Sequence, residues 1–305
     1  MSNQLSATDI ATAVQLACIL EANAPKPGNV SPAADFHDTA FTDFLASAVA
    51  IGPALGDAGA RPLGESILAA VEATRRWTTS NTNLGIVLLL APLAKAAAAS
   101  DACSNSIAPH HLRTSLQRIL ANTTVDDARL TYVAIRLASP GGLGNSNEQD
   151  VASEPTVSLT DAMRLARDRD GIAREYATDF QVTFELAVPA LNRARGDGLG
   201  WNDAIVETFL EILAQWPDTH IVRRAGMQLG KSVSQRARAV MEAGGVRTPE
   251  GRATISQMSK ELRDERNRAN PGTTADITAA AIFVSLLGGG WHSTHASGGS
   301  DAAPR

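Results

Sequence analysis

Leu84-Gly-Ile-Val-Leu-Leu-Leu-Ala-Pro-Leu-Ala-Lys-Ala-Ala-Ala-Ala-Ser100 is apolar on nearly every face. A helix with no polar face has to be surrounded by protein, so this segment predicts a buried central helix, kinked at Pro92. The apolar run is broken by Pro92 and Lys95. It falls short of the ~20 residues a bilayer requires. No membrane association and a cytoplasmic location are therefore expected.

The rest of the chain reads the same way. Among 305 residues, hydrophobic types make up 44% but aromatics only 4%. Abundant Ala and Leu with few aromatics favours helix on helix over a β-sandwich. Ser6 with Asp9, and Thr124 with Asp127, have the spacing of capping boxes. They open helices over 6–23 and 124–137. Helical spacing also marks 41–49, 62–77, 109–122 and 203–216. Ser158 or Thr160 is expected to cap 161–170. Gly171–Ala194 reads as one long helix, bent near Pro189. Asp218–Ala243 reads as one helix or two. Thr248-Pro249 opens a charged helix to about Asn267. Thr273 or Thr274 is expected to cap a last apolar helix to Leu287. The expectation is an all-α fold: a single compact multi-helix domain over 1–291 with buried central helices, and a disordered tail over 292–305.

The net charge of −5 gives no global field for nucleic acid. Cys18 and Cys103 read as two reduced thiols rather than a disulfide or metal pair. The apolar helices permit a homodimer without demanding one.

Candidate chemistry clusters where helices begin and end. Pro25-Lys26-Pro27-Gly28 holds one lysine between two stiff prolines, a way to fix a point charge against phosphate. A plain loop with a solvated lysine is the competing reading. Asp35-Phe36-His37-Asp38 offers oxygen ligands for Mg²⁺, or an ordinary helix cap. Ser80-Asn81-Thr82-Asn83 precedes the apolar helix with more hydrogen-bonding groups than a cap needs. Pro140-Gly141-Gly142-Leu143-Gly144 is a weak signal for a phosphate loop or lid. No Walker or dinucleotide fingerprint is present. The charged stretches 167–170 and 174–176 read as solvated, ion-paired faces. Asp218-Thr219-His220 is followed by Arg223-Arg224, whose forks suit phosphate. Asp276 falls in the first turn of the last helix.

Four of these segments, taken in order, resemble the triphosphoribosyl-dephospho-CoA synthases. They are Pro25–Val30 with Asp38; Asn81-Thr82-x-x-Gly85; Asp218-Thr219 with Arg224; and Pro271-Gly272-x-x-Ala275-Asp276. The resemblance implies an all-α enzyme that takes ATP, moves its ribosyl-triphosphate unit onto a ribose hydroxyl of dephospho-CoA or a related acceptor, and releases adenine. Two residues after the Asn-Thr pair, commonly His-Lys in that family, are Asn83 and Leu84 here. The glycine-rich loop and Arg169–Ala173 resemble a divergent branch, found in archaea and in bacteria with archaeal-type one-carbon metabolism. On this reading Asp276, Asp38 and Glu21 are the candidate catalytic carboxylates. Asp38 and Asp218 would hold Mg²⁺. Lys26, Gly28, Asn81, Thr82, Gly85, Arg224, Gly272 and Thr274 would contact the substrate and its phosphates. The rival readings are another ATP- and Mg²⁺-dependent enzyme of one-carbon-carrier biosynthesis, an ATP-dependent kinase or ligase, an N-glycoside hydrolase, and a non-catalytic nucleotide-binding helical protein.

Overall fold

The computed structural model describes residues 5–100, 106–263 and 267–291. They form α1 (Ala7–Asn23), α2 (Phe41–Gly56), α3 (Leu63–Arg75), α4 (Leu84–Ala98), α5 (Pro109–Ala121), α6 (Val125–Ala138), α7 (Leu159–Ala166), α8 (Gly171–Ala177), α9 (Val188–Gly196), α10 (Trp201–Gln215), α11 (Thr219–Ala225), α12 (Met227–Glu242), α13 (Pro249–Glu261) and α14 (Gly272–Leu287). Among the described residues there is no strand, only an isolated bridge between Ser31 and Ala34. The all-α expectation holds. Among these residues no helix is long and apolar enough to cross a membrane. Cys18 is buried and unpaired. Cys103 and residues 292–305 lie outside the described residues.

Two helices organise the core. All of α4 is buried except Gly85, Lys95 and Ala98. All of α14 is buried except Gly272, Asp276 and Leu286. The two pack on each other, with α1 against both and α9 and α10 against α14. Lys95, the one charge in the apolar run, donates to the carbonyls of Ala58 (3.2 Å) and Arg61 (2.6 Å) and so remains satisfied. The exceptions Gly85, Gly272 and Asp276 gather at the N-terminal ends of these helices.

Most caps fall where the sequence places them. Capping boxes form at Ser6/Asp9 and Thr124/Asp127, and Ser158 and Thr248 cap α7 and α13. Four local expectations change. Gly171–Ala194 is not one helix: Asp179 and Phe180 take left-handed φ values of 53° and 57°, and the chain re-enters helix beyond them. The cause is Glu175. Its carboxylate, fully buried, accepts the N–H groups of Val182 and Thr183 (both 2.9 Å) and the Thr183 hydroxyl (2.5 Å). It thereby caps the second segment from the first. Glu175 and Tyr176 are thus core, not a solvated face. Pro189 follows a π-helical turn over Thr183–Ala187. Of the two readings open for 218–243, the chain takes two helices, split at Gly226 with φ 90°. The helix from Pro249 stops at Glu261, short of Asn267. Neither Thr273 nor Thr274 caps α14; the caps come from outside it, as described below.

Glu175→Ala leaves two buried N–H groups and a hydroxyl unpaired. It is expected to lower stability by about 2–4 kcal/mol in chemical denaturation. Glu185→Ala, which removes a surface ion pair to Arg113, is expected to change the midpoint little.

Candidate active site

A cavity of about 930 Å³ opens where the N-terminal ends of α4, α8, α11 and α14 converge. Its volume is near the upper end for small-molecule sites. The loop after α6, including Pro140, Gly141 and Gly142, and residues of the α1–α2 connection complete the wall. Tyr132, Ile135, Leu159, Met163 and Ile172 make one side apolar.

Asp276 lies at the contact of α14 with α4. A methyl group on Gly85 would sit 1.9 Å from the Asp276 Oδ2, so the carboxylate rests directly on bare helix backbone. A larger residue at 85 would have to displace that carboxylate. Asp276 lines the cavity, and its carboxylate makes no hydrogen bond or ion pair with a described residue. Burial, then the charges of Glu21, Asp218 and Asp170, push its pKa well above the usual carboxylate range; Arg223 opposes them.

Asp218 fastens the surrounding helix starts. Its Oδ1 accepts the N–H groups of His220 (2.8 Å) and Ile221 (3.1 Å), capping α11. Its Oδ2 accepts the N–H and the hydroxyl of Thr274, each at 2.7 Å, capping α14. Thr219 accepts the Gly171 N–H (2.9 Å) and shares a hydrogen bond with Thr273 (3.1 Å), which ties α8 to the same knot. Asp170 caps α8 with one oxygen and pairs with Arg223 (3.0 Å) through the other. Arg223 also donates to the Gly141 carbonyl (3.3 Å). His220 packs on Gly272, where a Cβ would meet its Nδ1 at 2.1 Å. Burial, helped by Arg223 and Arg224, lowers the His220 pKa to about 3, so a neutral imidazole faces the cavity.

The structure brings eight of the expected residues to this cavity: Asp276, Glu21, Asp38, Asn81, Thr82, Gly85, Arg224 and Gly272. Asn81 accepts the Leu84 N–H (3.2 Å) and so also caps α4. Thr82 hydrogen-bonds Ser47 (2.5 Å). Asp35, not Asp38, accepts the first N–H of α2, from Phe41 (2.6 Å), which leaves Asp38 exposed at the rim.

Four expected residues lie off the wall: Lys26, Gly28, Thr274 and Asp218. Lys26 is buried with its ammonium turned inward. Gly28, at φ 77°, lets its loop press on Leu262 and Pro271. Thr274 is spent on Asp218. The expected pairing of Asp38 with Asp218 around Mg²⁺ does not form, because both Asp218 oxygens are filled by cap donors. Among the described residues no group of three or more His, Cys, Asp or Glu side chains is placed to hold a metal ion. The residues present therefore do not fit a protein-held Mg²⁺.

Sequence reading missed Asp170 and Arg174. The Asp-Gly step at 170–171 was the available signal, a cap at the start of a new helix. Arg174 stands one turn beyond Asp170 on the cavity wall, and its guanidinium has no hydrogen bond or ion pair to a described residue. Asn83, at a position of departure from the family pattern, trades hydrogen bonds with Thr74 at 3.2–3.3 Å. Its neighbour Leu84 is buried. Positive charge around the cavity comes instead from Arg169, Arg174, Arg223 and Arg224.

An all-α fold thus presents a large cavity with arginines on its wall and, at Asp276, a carboxylate that no described residue pairs, a lining suited to an anionic small molecule. The chain belongs to the CitG family, ATP:dephospho-CoA triphosphoribosyl transferase, whose model matches residues 7–295. Curated relatives carry the name "Probable 2-(5''-triphosphoribosyl)-3'-dephosphocoenzyme-A synthase". One, from Pseudomonas fluorescens, is 33% identical over 39% of this chain and 40% of its own length. Another, from Stutzerimonas stutzeri, is 34% identical over 49% of this chain and 53% of its own. The chain thus spans about half the length of the curated relatives it matches. A crystal structure of an Archaeoglobus fulgidus protein designated a triphosphoribosyl-dephospho-coA synthase superposes with a TM-score of 0.62 at 26% identity, covering 81% of this chain and all of that one.

Gly→Ala inside a helix ordinarily stabilises by up to ~1 kcal/mol. Gly85→Ala is expected to do the reverse, because its methyl collides with Asp276. In an Asp276→Ala background the same change is expected to regain the ordinary sign. A double-mutant cycle in chemical denaturation reads this as a coupling energy between positions 85 and 276 clearly different from the zero expected of independent sites.

Proposed function

We propose that this protein transfers the 5'-triphosphoribosyl unit of ATP to a ribose hydroxyl of dephospho-CoA or a related acceptor, releasing adenine. The observation that carries the reading is Asp276, an unpaired carboxylate held on Gly85 at the junction of two family motifs. The family match supplies the reaction class.

In this reaction the bond from the anomeric carbon to adenine breaks, and its electron pair leaves with the base. A bond from the acceptor oxygen to the anomeric carbon forms. The acceptor proton passes to Asp276 and thence to the departing base, so the site ends as it began. Positive charge builds on the sugar in the transition state, and a carboxylate beside it is stabilising, as in glycoside hydrolysis. Neutral His220 and the hydroxyls around it orient the sugar without adding repulsive positive charge. Arg174 and Arg224 receive the triphosphate, whose charge a fork-shaped guanidinium matches better than a point charge. Mg²⁺, if required, would come bound to the nucleotide and would neutralise part of the triphosphate charge, since the described residues form no cage for it.

The test is to incubate the pure protein with ATP and Mg²⁺, with and without dephospho-CoA, and separate bases and nucleotides by chromatography. Adenine appearing only with the acceptor is the expected outcome. ADP or AMP as product contradicts ribosyl transfer, and adenine without acceptor makes the protein a hydrolase. Asp276→Asn is expected to lower turnover by about 10²–10⁴-fold, the usual value of a positioned general base.

Activity needs the deprotonated carboxylate. Since the folded pKa of Asp276 is raised, the acidic limb of kcat/KM is expected above the ordinary carboxylate range, with rate rising as pH rises through it. His220, already neutral above pH ~3, is expected to contribute no limb near neutrality.

A further inference from the structure

The Pro25-Lys26-Pro27-Gly28 segment is the family motif that the cavity does not absorb. Lys26 is among the largest fully buried side chains of the protein. Its ammonium lies 2.9 Å from a carboxylate oxygen of Glu21. It also donates to the backbone carbonyls of Glu21 and Ala24. An ammonium has three N–H groups, so none remains for a phosphate. Lys26 stands behind Glu21, which does line the cavity, whereas Lys26 does not. Glu21 is close enough to Asp276 for their charges to repel.

A buried ion pair adds little to stability, because desolvating two charges offsets most of their attraction. Apolar side chains would fill the same space as well. The location, directly behind the carboxylate that faces the reacting sugar, points to chemistry instead.

We propose that Lys26 is a positioning residue: its buried ammonium fixes the Glu21 carboxylate on the cavity side of α1, so that Glu21 and Asp276 together face the reacting sugar. The role rests on the transferase reading for its meaning, but not for its measurement. The Glu21 charge, held in this place, makes Asp276 a stronger proton acceptor. The other charged or titratable groups facing Asp276 are Asp170 before α8, Asp218 and Arg223 at α11, and Arg223 alone opposes the rise. Cys18, one turn before Glu21 on α1, feels both carboxylates and has its own thiol pKa pushed up by burial. The α4 side presents only Gly85.

The experiment is an infrared pH titration of the protonated-carboxyl band that Asp276→Asn removes, which reads Asp276 without turnover. In the wild-type protein the band is expected to titrate above the ordinary carboxylate range. Lys26→Met removes the group that anchors the Glu21 carboxylate and frees it to turn away from Asp276. Glu21→Gln removes the charge outright and keeps the shape. Both variants are expected to move the Asp276 midpoint to lower pH, and the acidic limb of adenine release with it. An unmoved midpoint in either variant, with only a lower melting temperature, would make the pair structural and overturn the proposal. If the midpoint moves as expected but the wild-type protein releases no adenine, the arrangement of charges stands and the transferase reading fails.

Discussion

A carboxylate lying against the bare Cα of a glycine is the contact on which this site depends. Asp276 can occupy the floor of the cavity only because residue 85 has no side chain. Any larger residue would drive α14 from α4 or turn the carboxylate away. Two motifs almost two hundred residues apart in the chain are thus two halves of one contact. Because α4 and α14 are also deeply buried helices, the same crossing that builds the core sets the position of the Asp276 carboxylate.

Around that contact, the site is assembled from helix ends rather than from a loop or a sheet edge. Each helix start exposes N–H groups that need acceptors. Here a few side chains serve several starts at once. Asp218 caps both α11 and α14, Asp170 caps α8 while pairing with Arg223, and Thr219 joins α8 to α14 through Thr273. Capping side chains shared in this way fix helices relative to each other. They also explain why residues that look like ligands in a list of motifs are absent from the cavity wall. Asp218 and Thr274 are the frame, and Asp276, His220 and the arginines are what the frame presents.

The fold was legible because its signals are local. The apolar run from Leu84, the boxes at Ser6 and Thr124, and the proline and glycine stops each act within a few residues. The break after α8 was not legible, because it depends on Glu175 folding back to bind Val182 and Thr183, a burial that no periodicity announces. The site was legible in part for the same reason. Asp276 reaches the cavity without a hydrogen-bond or ion-pair partner among the described residues, whereas Glu21, Asn81 and Thr82 reach it although their polar groups are partnered. Lys26 and Asp218 were misplaced because a lysine between prolines and an aspartate before a helix look alike in sequence whether they face a ligand or the interior. Arg174 was hidden in a run of charges that reads as surface, and only the turn set by Asp170 aims it at the cavity.

The proposed reaction requires the sugar of the nucleotide over Asp276 and its triphosphate toward Arg174 and Arg224. A crystal structure of the protein with ATP and Mg²⁺, trapped by the Asp276→Asn substitution, tests this directly. The expected result is the anomeric carbon within reach of residue 276, the base against the apolar wall, and the phosphates on the arginines. Phosphates seated at residue 276, with the ribose elsewhere, would contradict it.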